Sequence, residues 1–285
     1  MARHTSFGER VFAATGKFGP LCVGIDPSRE QLAAWGLGLS AIGAERYALT
    51  MIEAVAGLVA AVKPQVAFFE QFGGRGMIVL ERILSDARDA GLIVIADAKR
   101  SDIGSTAAAY ASAWLDEDAP YRCDALTLTP YLGVGALKPC FDAATASGRG
   151  VFVVARSSNP EGVVLQEATA ATGRTVEDQV LAEIAAVNGE IHDGSSLGPI
   201  GAVVGATRTA STFDLATMGG AFLIPGVGAQ GGTAAEVAAR FAGLDTRSLL
   251  VNQSRSIASA GPEIDQVREK VLAEREGLRI ALAAS

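Results

Sequence analysis

The stretch LIVIADAKRSD, residues 92–102, has the form of a buried strand that ends in charged residues. Its first five residues are apolar, a run of strand length that matches a parallel sheet covered on both faces. Asp97, Lys99 and Asp102 follow at once. Carboxylates and ammonium groups are costly at an apolar strand end unless they are paired. The stretch therefore predicts a buried parallel strand with a polar site at its carboxyl end.

The same unit recurs along the chain, an apolar run of strand length followed by a segment with helical patterning. The apolar runs are 21–25, 59–62, 92–96, 125–128, 151–155, 200–204, 221–224 and 248–251. Helical patterning covers, for example, 44–58, 77–90, 105–115, 175–187, 233–241 and 262–282.

Eight such units in 285 residues predict an α/β protein with a (β/α)8 TIM barrel and an added N-terminal helix around residues 7–14. A doubly wound open sheet is the alternative. Because no linker or shift in composition divides the chain, we expect residues 1–285 to form a single domain.

Composition narrows the possible functions. The net charge of −7 offers no basic surface for polymeric nucleic acid. No apolar run approaches the roughly 20 residues that span a bilayer, so we expect no membrane association. Three cysteines without CxxC spacing, and a start without a secretory leader, indicate core thiols and a cytoplasmic location. Only two histidines, His4 and His192, are available for a Ser-His-Asp triad or a His-rich zinc site.

Polar residues at the strand ends should converge, because chemistry in a barrel occurs where the carboxyl ends of the strands meet. Asp97 and Lys99 lie two residues apart on the predicted strand, which places them on one face about 6.6 Å apart. Lys63 ends the second strand, Thr127 ends the fourth, and Asp102 follows the third. Taken singly, Asp102 could cap the next helix and Lys63 could reach solvent. Taken together, two lysines and two carboxylates form an alternating array in which a carboxylate keeps an ammonium charged and oriented as a general acid toward a carbanion.

The glycine loop PGVGAQGGT, residues 225–233, leads from the seventh strand into a helix. Gly226, Gly228 and Gly231 spell GxGxxG, but the dinucleotide fingerprint belongs after the first strand of a Rossmann unit. In barrels, the loops after strands 7 and 8 commonly bind phosphate. Arg255 follows the eighth strand and could clamp a phosphate from the other side, or form a surface salt bridge.

The polar run RSSNPEG, residues 156–162, follows the fifth strand. Its short side chains suit hydrogen bonding to the edge of a heterocycle. Such a run is also typical of an ordinary turn.

Together and in this order, these motifs resemble orotidine 5′-phosphate decarboxylases. The residues that carry the resemblance are Asp97-x-Lys99-x-x-Asp102-Ile103, the strand-end Lys63, PGVGAQGG at 225–232 and Arg255-Ser-Ile. The forms IADAKRSDIGST at 95–106 and KPQVAFFE at 63–70 are similar to the longer bacterial branch, type 2. The resemblance spans Asp26 to Ile257.

The resemblance implies a homodimer with shared active sites that binds a small nucleotide, orotidine monophosphate, and converts it to UMP and carbon dioxide in de novo pyrimidine synthesis. It implies no metal and no organic cofactor. By the same mapping, Lys99 protonates C6, Asp97 faces the departing carboxylate, and Lys63 bridges Asp97 and the ribose.

The resemblance also implies the remaining site residues. Asp102, Ile103 and Thr106 would come from the partner subunit. The residues implied to bind the substrate from the same chain are Asp26 at a ribose hydroxyl, Ser158 at the pyrimidine edge, and Gln230 and Arg255 at the phosphate. Ser157 is open as an alternative to Ser158, and Ser254 stands where the family often has glycine.

Two other functions have related sequence patterns. A magnesium-dependent sugar-phosphate decarboxylase or aldolase would share Asp-x-Lys-x-x-Asp, with the carboxylates holding the metal. A nucleotide-binding barrel without activity is the other alternative, and the presence of both Lys63 and Lys99 argues against it.

Overall fold

The chain folds into a closed barrel of eight parallel strands in sequence order, in a computed structural model that describes residues 5–192, 197–206, 211–228 and 231–283. The strands are β1 Leu21–Ile25, β2 Ala61–Pro64, β3 Ile93–Arg100, β4 Ala125–Leu128, β5 Gly150–Arg156, β6 Gly198–Val204, β7 Gly220–Ile224 and β8 Leu249–Gln253. Each strand pairs in parallel with the next, and β8 pairs with β1. The predicted (β/α)8 barrel is confirmed, and the alternative of an open sheet is wrong.

Helices alternate with these strands and cover the outside of the barrel. They are α1 Phe7–Phe18, α2 Arg29–Ala34, α3 Ala41–Val55, α4 Ala67–Glu70, α5 Gly73–Asp89, α6 Gly104–Trp114, α7 Lys138–Ala146, α8 Val163–Gln166, α9 Val176–Ile191, α10 Ala234–Arg240, α11 Arg255–Ala258 and α12 Ile264–Ala283. Short 3-10 turns lie at Val134–Leu137, Pro160–Gly162, Leu215–Met218 and Thr246–Ser248.

Side-chain caps fix where several of these helices begin. At five of them, a hydroxyl at the N-cap accepts a hydrogen bond from a backbone N–H of the first turn. The capping residues are Ser6, Ser28, Ser40, Thr175 and Thr233. Such a cap satisfies an N–H that has no partner within the helix. The helices therefore start at positions that the sequence marks locally.

Helix α1 closes the amino-terminal end of the barrel. Phe7 is buried and meets Phe152 edge to face, with 5.7 Å between the ring centroids. Gly150 makes this contact possible, because a Cβ there would lie 2.1 Å from the Phe7 ring. Arg10 ties the helix to the barrel through an ion pair with Asp124. The polar cleft lies at the opposite end, where the strands finish.

The barrel interior changes from apolar to polar along the strands. Side chains alternate between the two faces of a strand, so residues two apart point the same way. The apolar interior cluster includes Ala61, Ile95 and Leu250. Two residues further along the same strands come Lys63, Asp97 and Asn252, all of them buried. The interior thus ends in a polar layer at the mouth of the barrel.

The three cysteines are buried free thiols, as predicted. Burial raises the pKa of Cys22 and Cys123 to about 12 and that of Cys140 to about 11. All three are therefore protonated and unreactive at neutral pH. Within the described ranges, no helix combines the length and the apolar character needed to cross a bilayer.

Candidate active site

A cleft of about 240 Å³ opens at the carboxyl ends of the strands. Val154, Val203 and Leu223 give it an apolar wall. Six of the residues predicted for the site line it, namely Asp26, Lys63, Asp97, Lys99, Ser158 and Arg255. The prediction that strand-end polar residues converge is thus confirmed for these six.

The Asp97 carboxylate joins two lysines at the floor of this cleft. Its Oδ2 accepts a hydrogen bond from Lys63 Nζ at 2.8 Å, and its Oδ1 accepts one from Lys99 Nζ at 2.6 Å. The Thr127 hydroxyl donates a third, to Oδ1 at 2.9 Å. Three members of the predicted array therefore meet within one chain.

Burial and charge act in opposite directions on these groups. Asp97 is 8% exposed and Lys63 is 5% exposed. Burial alone would raise the pKa of Asp97, but the Lys63 and Lys99 ammonium groups hold it well below its ordinary value. Burial alone would lower the pKa of Lys63, but the Asp97 carboxylate, helped by Asp26, raises it above its ordinary value. Asp97 is therefore a carboxylate and Lys63 an ammonium at neutral pH.

The Lys99 backbone departs from a regular strand. Its φ is +48°, and among the described residues no other non-glycine has a positive φ. The pairing of β3 with β4 shifts register between Ala96 and Arg100. The prediction that a regular period of two brings Asp97 and Lys99 together is therefore wrong in its backbone, although the two side chains do meet. Such a conformation costs on the order of 1–3 kcal/mol and is typical of functional sites.

Thr127 supports this strained turn. The Lys99 backbone N–H donates to Thr127 Oγ1 at 2.9 Å, and the same hydroxyl donates to Asp97. One buried hydroxyl on β4 thus fixes both the Lys99 backbone and the carboxylate that holds its ammonium. The Lys99 side chain itself is 48% exposed, so its end is open to the cleft.

Asp102 lies apart from this group. It is not among the described residues that line the cleft. Its Oδ1 accepts from the N–H of Ile103, and Ile103, the residue before α6, makes no side-chain cap. The interpretation of Asp102 as the cap of this helix is therefore wrong. Ile103 is 60% exposed, and Thr106 is exposed on the first turns of α6.

Three glycines of the loop after β7 have a left-handed backbone conformation. Gly226, Gly228 and Gly231 all have φ between 83° and 94°, a region that favours glycine. Gly226 lines the cleft, and so does Arg255, the first residue of α11 after β8. Gln230 lies outside the described residues, as does His4.

Ser157 and Ser158 both line the cleft, on the loop after β5. Ser157 is bound to α8, because Gln166 Nε2 donates to its hydroxyl at 2.9 Å and Gln166 Oε1 accepts from its backbone N–H at 3.2 Å. The loop is therefore attached to the helix that follows it. His192 follows the last residue of α9 and is not among the described residues that line the cleft.

The sequence from residue 19 to residue 269 matches the model of the orotidine 5′-phosphate decarboxylase / HUMPS family. The chain belongs to this family. A protein from Salinispora arenicola named orotidine 5′-phosphate decarboxylase is 49% identical over 284 residues, which cover 98% of this chain and 99% of the relative. One of the same name from Streptomyces coelicolor is 48% identical over 280 residues, covering 98% and 99%.

A solved structure agrees with these relatives. The crystal structure of a candidate orotidine 5′-phosphate decarboxylase from Streptomyces avermitilis superposes with a TM-score of 0.91 at 46% identity, covering 98% of this chain and 96% of that one. The resemblance drawn from the sequence motifs is thus confirmed. The orotidine 5′-phosphate decarboxylase / HUMPS family is the one to which the strand-end motifs pointed.

Two polar residues that line the cleft were not predicted from the sequence. Gln65 and Asn252 both line it. Asn252 stands in the run NQSR, where the sequence drew attention to Arg255 and Ser254. Reading β8 with a period of two from Leu250 would have placed Asn252 inside the barrel.

Proposed function

We propose that this chain is an orotidine 5′-phosphate decarboxylase, which converts orotidine monophosphate to UMP and carbon dioxide in de novo pyrimidine synthesis. The observation that carries the proposal is the Asp97 carboxylate held between Lys63 and Lys99 at the mouth of the barrel. The family and the names of relatives almost half identical to this chain support it.

The reaction needs a cation fixed beside the reacting carbon. When the bond from C6 to the carboxylate breaks, carbon dioxide leaves and its bonding electron pair stays on C6. This sp² carbanion cannot delocalise simply into a carbonyl, so an ammonium held nearby stabilises it. Lys99 then transfers a proton from Nζ to C6, and its neutral amine regains a proton from solvent. One proton is consumed for each carbon dioxide released.

In this proposal, Asp97 and Lys63 hold Lys99 in place. Asp97 orients the Lys99 ammonium through the 2.6 Å hydrogen bond and faces the departing carboxylate. Lys63 keeps Asp97 ionised and reaches toward the ribose. The three groups carry a net charge of about +1 at neutral pH, which favours an anionic substrate.

The rest of the cleft offers a partner for each part of the nucleotide. Asp26 Oδ1 is buried and has no hydrogen-bond donor among the described residues, which suits a ribose hydroxyl. Ser158, which lines the cleft, is assigned to the pyrimidine edge as in the family resemblance, with Ser157 as the alternative. Arg255 and the loop at 225–232 are assigned to the phosphate, with Gln230 carried over from the family resemblance.

The active sites are proposed to be shared within a homodimer. Asp102, Ile103 and Thr106 lie outside the cleft of their own chain, as a residue that serves the partner's site would. The exposed apolar side chains Tyr131 and Leu132, on the loop after β4, add area that a second subunit could cover. We further propose that residues 1–285 act as one domain in the cytoplasm, on a small-molecule substrate.

A magnesium-dependent sugar-phosphate enzyme is a weaker second candidate. Its carboxylates would hold the metal, whereas here the two Asp97 oxygens each accept from a lysine ammonium. Within the described ranges, no three residues among His, Cys, Asp and Glu are grouped so that they could hold a metal.

The purified protein, treated with EDTA, tests the proposal with orotidine monophosphate as substrate. We expect steady loss of the orotate absorbance at an unchanged rate, with one UMP formed for each substrate consumed. Absence of turnover, or turnover that EDTA abolishes and Mg²⁺ restores, would contradict it.

A further inference from the structure

Asn252 is a buried polar residue of the cleft that the mechanism does not use. It lies on β8, two residues after Leu250 of the apolar interior cluster, and it lines the cleft at 8% exposure. Its Oδ1 is buried and has no hydrogen-bond donor among the described residues. A buried acceptor without a donor is unfavourable, so this atom points to a ligand that supplies one.

The neighbours of Asn252 place this acceptor beside Asp26. Asn252 Nδ2 donates to Ser254 Oγ at 3.4 Å. That hydroxyl packs against Gly24 of β1, where a Cβ would lie 1.8 Å from Ser254 Oγ and 3.4 Å from Asp26 Oδ1. Asn252, on β8, and Asp26, directly after the adjacent strand β1, therefore both lie close to Gly24 and the Ser254 hydroxyl.

Two orphan acceptors side by side require two donors. Asp26 Oδ1 and Asn252 Oδ1 are both buried, and neither accepts a hydrogen bond from any described residue. The ionised phosphate and carboxylate groups of the substrate offer only acceptors. The N–H of its pyrimidine is assigned to Ser158 on the loop after β5, across the barrel. A ribose carries two adjacent hydroxyls, each a donor. It also lies between base and phosphate, and Asn252 lies on the strand beside Asp26, three residues before Arg255.

We propose that Asn252 accepts a hydrogen bond from a ribose hydroxyl of the nucleotide and, with Asp26, makes the site select ribonucleotides over deoxyribonucleotides. This inference rests on the proposed function, since it assigns one further part of the same substrate. Gly24 has a defined part in it, because a side chain at that position would collide with Ser254 Oγ, which binds Asn252, and would contact Asp26 Oδ1.

The test compares orotidine monophosphate with its 2′-deoxy and 3′-deoxy analogues in the wild type and in Asn252→Leu. Leucine keeps the branched shape of asparagine, with bulkier methyl groups, and removes the acceptor. For the analogue that lacks the bonded hydroxyl, we expect wild-type kcat/KM to be at least about tenfold lower than for the ribonucleotide. We expect Asn252→Leu to lower kcat/KM for the ribonucleotide about tenfold and for that analogue less than about twofold.

Controls separate this effect from damage to the strand. Leu250→Val changes the same inward-facing row of β8 one layer deeper, and we expect it to leave the ratio of ribonucleotide to deoxynucleotide kcat/KM unchanged. Asn252→Ala, with the inhibition constants of UMP and its deoxy analogues as readout, supplies a second variant if leucine prevents folding. It should remove the preference for UMP over one of them.

The outcomes are distinguishable. If the wild type converts orotidine monophosphate but Asn252→Leu and Asn252→Ala affect ribo- and deoxynucleotides equally, the role of Asn252 is wrong and the proposed function stands. If the wild type neither converts orotidine monophosphate nor binds UMP, both are wrong.

Discussion

Thr127→Val removes the hydroxyl that holds the strained Lys99 turn. Thr127 is 1% exposed, and its hydroxyl accepts from the Lys99 backbone N–H and donates to the Asp97 carboxylate, each at 2.9 Å. Valine keeps the shape of threonine and makes neither bond. The substitution therefore tests whether this hydroxyl maintains the site.

The expected loss of stability follows from these two bonds. A hydrogen bond to a charged group contributes roughly 1.5–3 kcal/mol, and a buried N–H left without an acceptor costs about 1–3 kcal/mol. Since the Lys99 N–H is only partly buried, water can replace some of its bond. We expect Thr127→Val to lower the free energy of unfolding by about 2–4 kcal/mol.

The kcat of Thr127→Val should fall by more than its loss of folding stability explains. Without the hydroxyl, Lys99 no longer has the support that offsets its positive φ, and its ammonium moves relative to the substrate. A displacement of about 1 Å can cost on the order of 100-fold in rate. We expect a 10- to 100-fold lower kcat with a smaller change in KM.

Urea denaturation followed by tryptophan fluorescence, together with steady-state kinetics, measures both quantities. Thr127→Ser is the matched control, because it keeps the hydroxyl and removes only a methyl group. It should retain kcat within about threefold. A Thr127→Val enzyme with wild-type stability and kcat would refute the role assigned to Thr127.

Three further predictions concern the fold, the charge network and the subunit interface. Gly150→Ala places a Cβ 2.1 Å from the Phe7 ring at the amino-terminal end of the barrel. We therefore expect a lower melting temperature in thermal unfolding than for Gly135→Ala, where a Cβ meets nothing within 4 Å. Because the folded-state pKa of Asp97 is depressed, its ionisation stabilises the fold above pH ~4 and loses this effect as pH falls toward the folded-state pKa. The free energy of unfolding should thus decline more steeply between pH 7 and pH 3 in the wild type than in Asp97→Asn, and parallel curves in urea titrations would contradict the assignment. Mixed dimers of Lys99→Ala and Asp102→Ala subunits should regain one working site for each dimer, whereas no recovery of turnover on mixing would return Asp102 to a role within its own chain.

The architecture could be predicted because the sequence repeats it. Each apolar run is short and each following segment has helical periodicity, and two runs, 21–25 and 125–128, match the strand bounds residue for residue. The strand ends were harder to place, since β3 continues through charged residues to Arg100. Helices α2, α4, α8 and α11 have four to six residues, too few to show a periodic pattern.

The site was predictable in its members and not in its backbone. Asp97, Lys63 and Lys99 stand at strand ends, and barrel closure brings strand ends together. The left-handed turn at Lys99 has no local signal, because lysine does not favour a positive φ. The Lys99 N–H in that turn donates to the Thr127 hydroxyl, and the pairing of β3 with β4 brings the two together. Tertiary contacts therefore set the Lys99 backbone conformation, which the local sequence does not predict.

Turnover of orotidine monophosphate by Lys99→Ala tests the central claim most directly. Lys138→Ala, which removes an exposed lysine paired with Asp142 on α7, is the matched control. If Lys99 donates the proton to C6, Lys99→Ala loses decarboxylation by at least about 1,000-fold while it still binds UMP, and Lys138→Ala keeps wild-type turnover. Decarboxylation by Lys99→Ala within about tenfold of the wild-type rate would show that another group protonates C6.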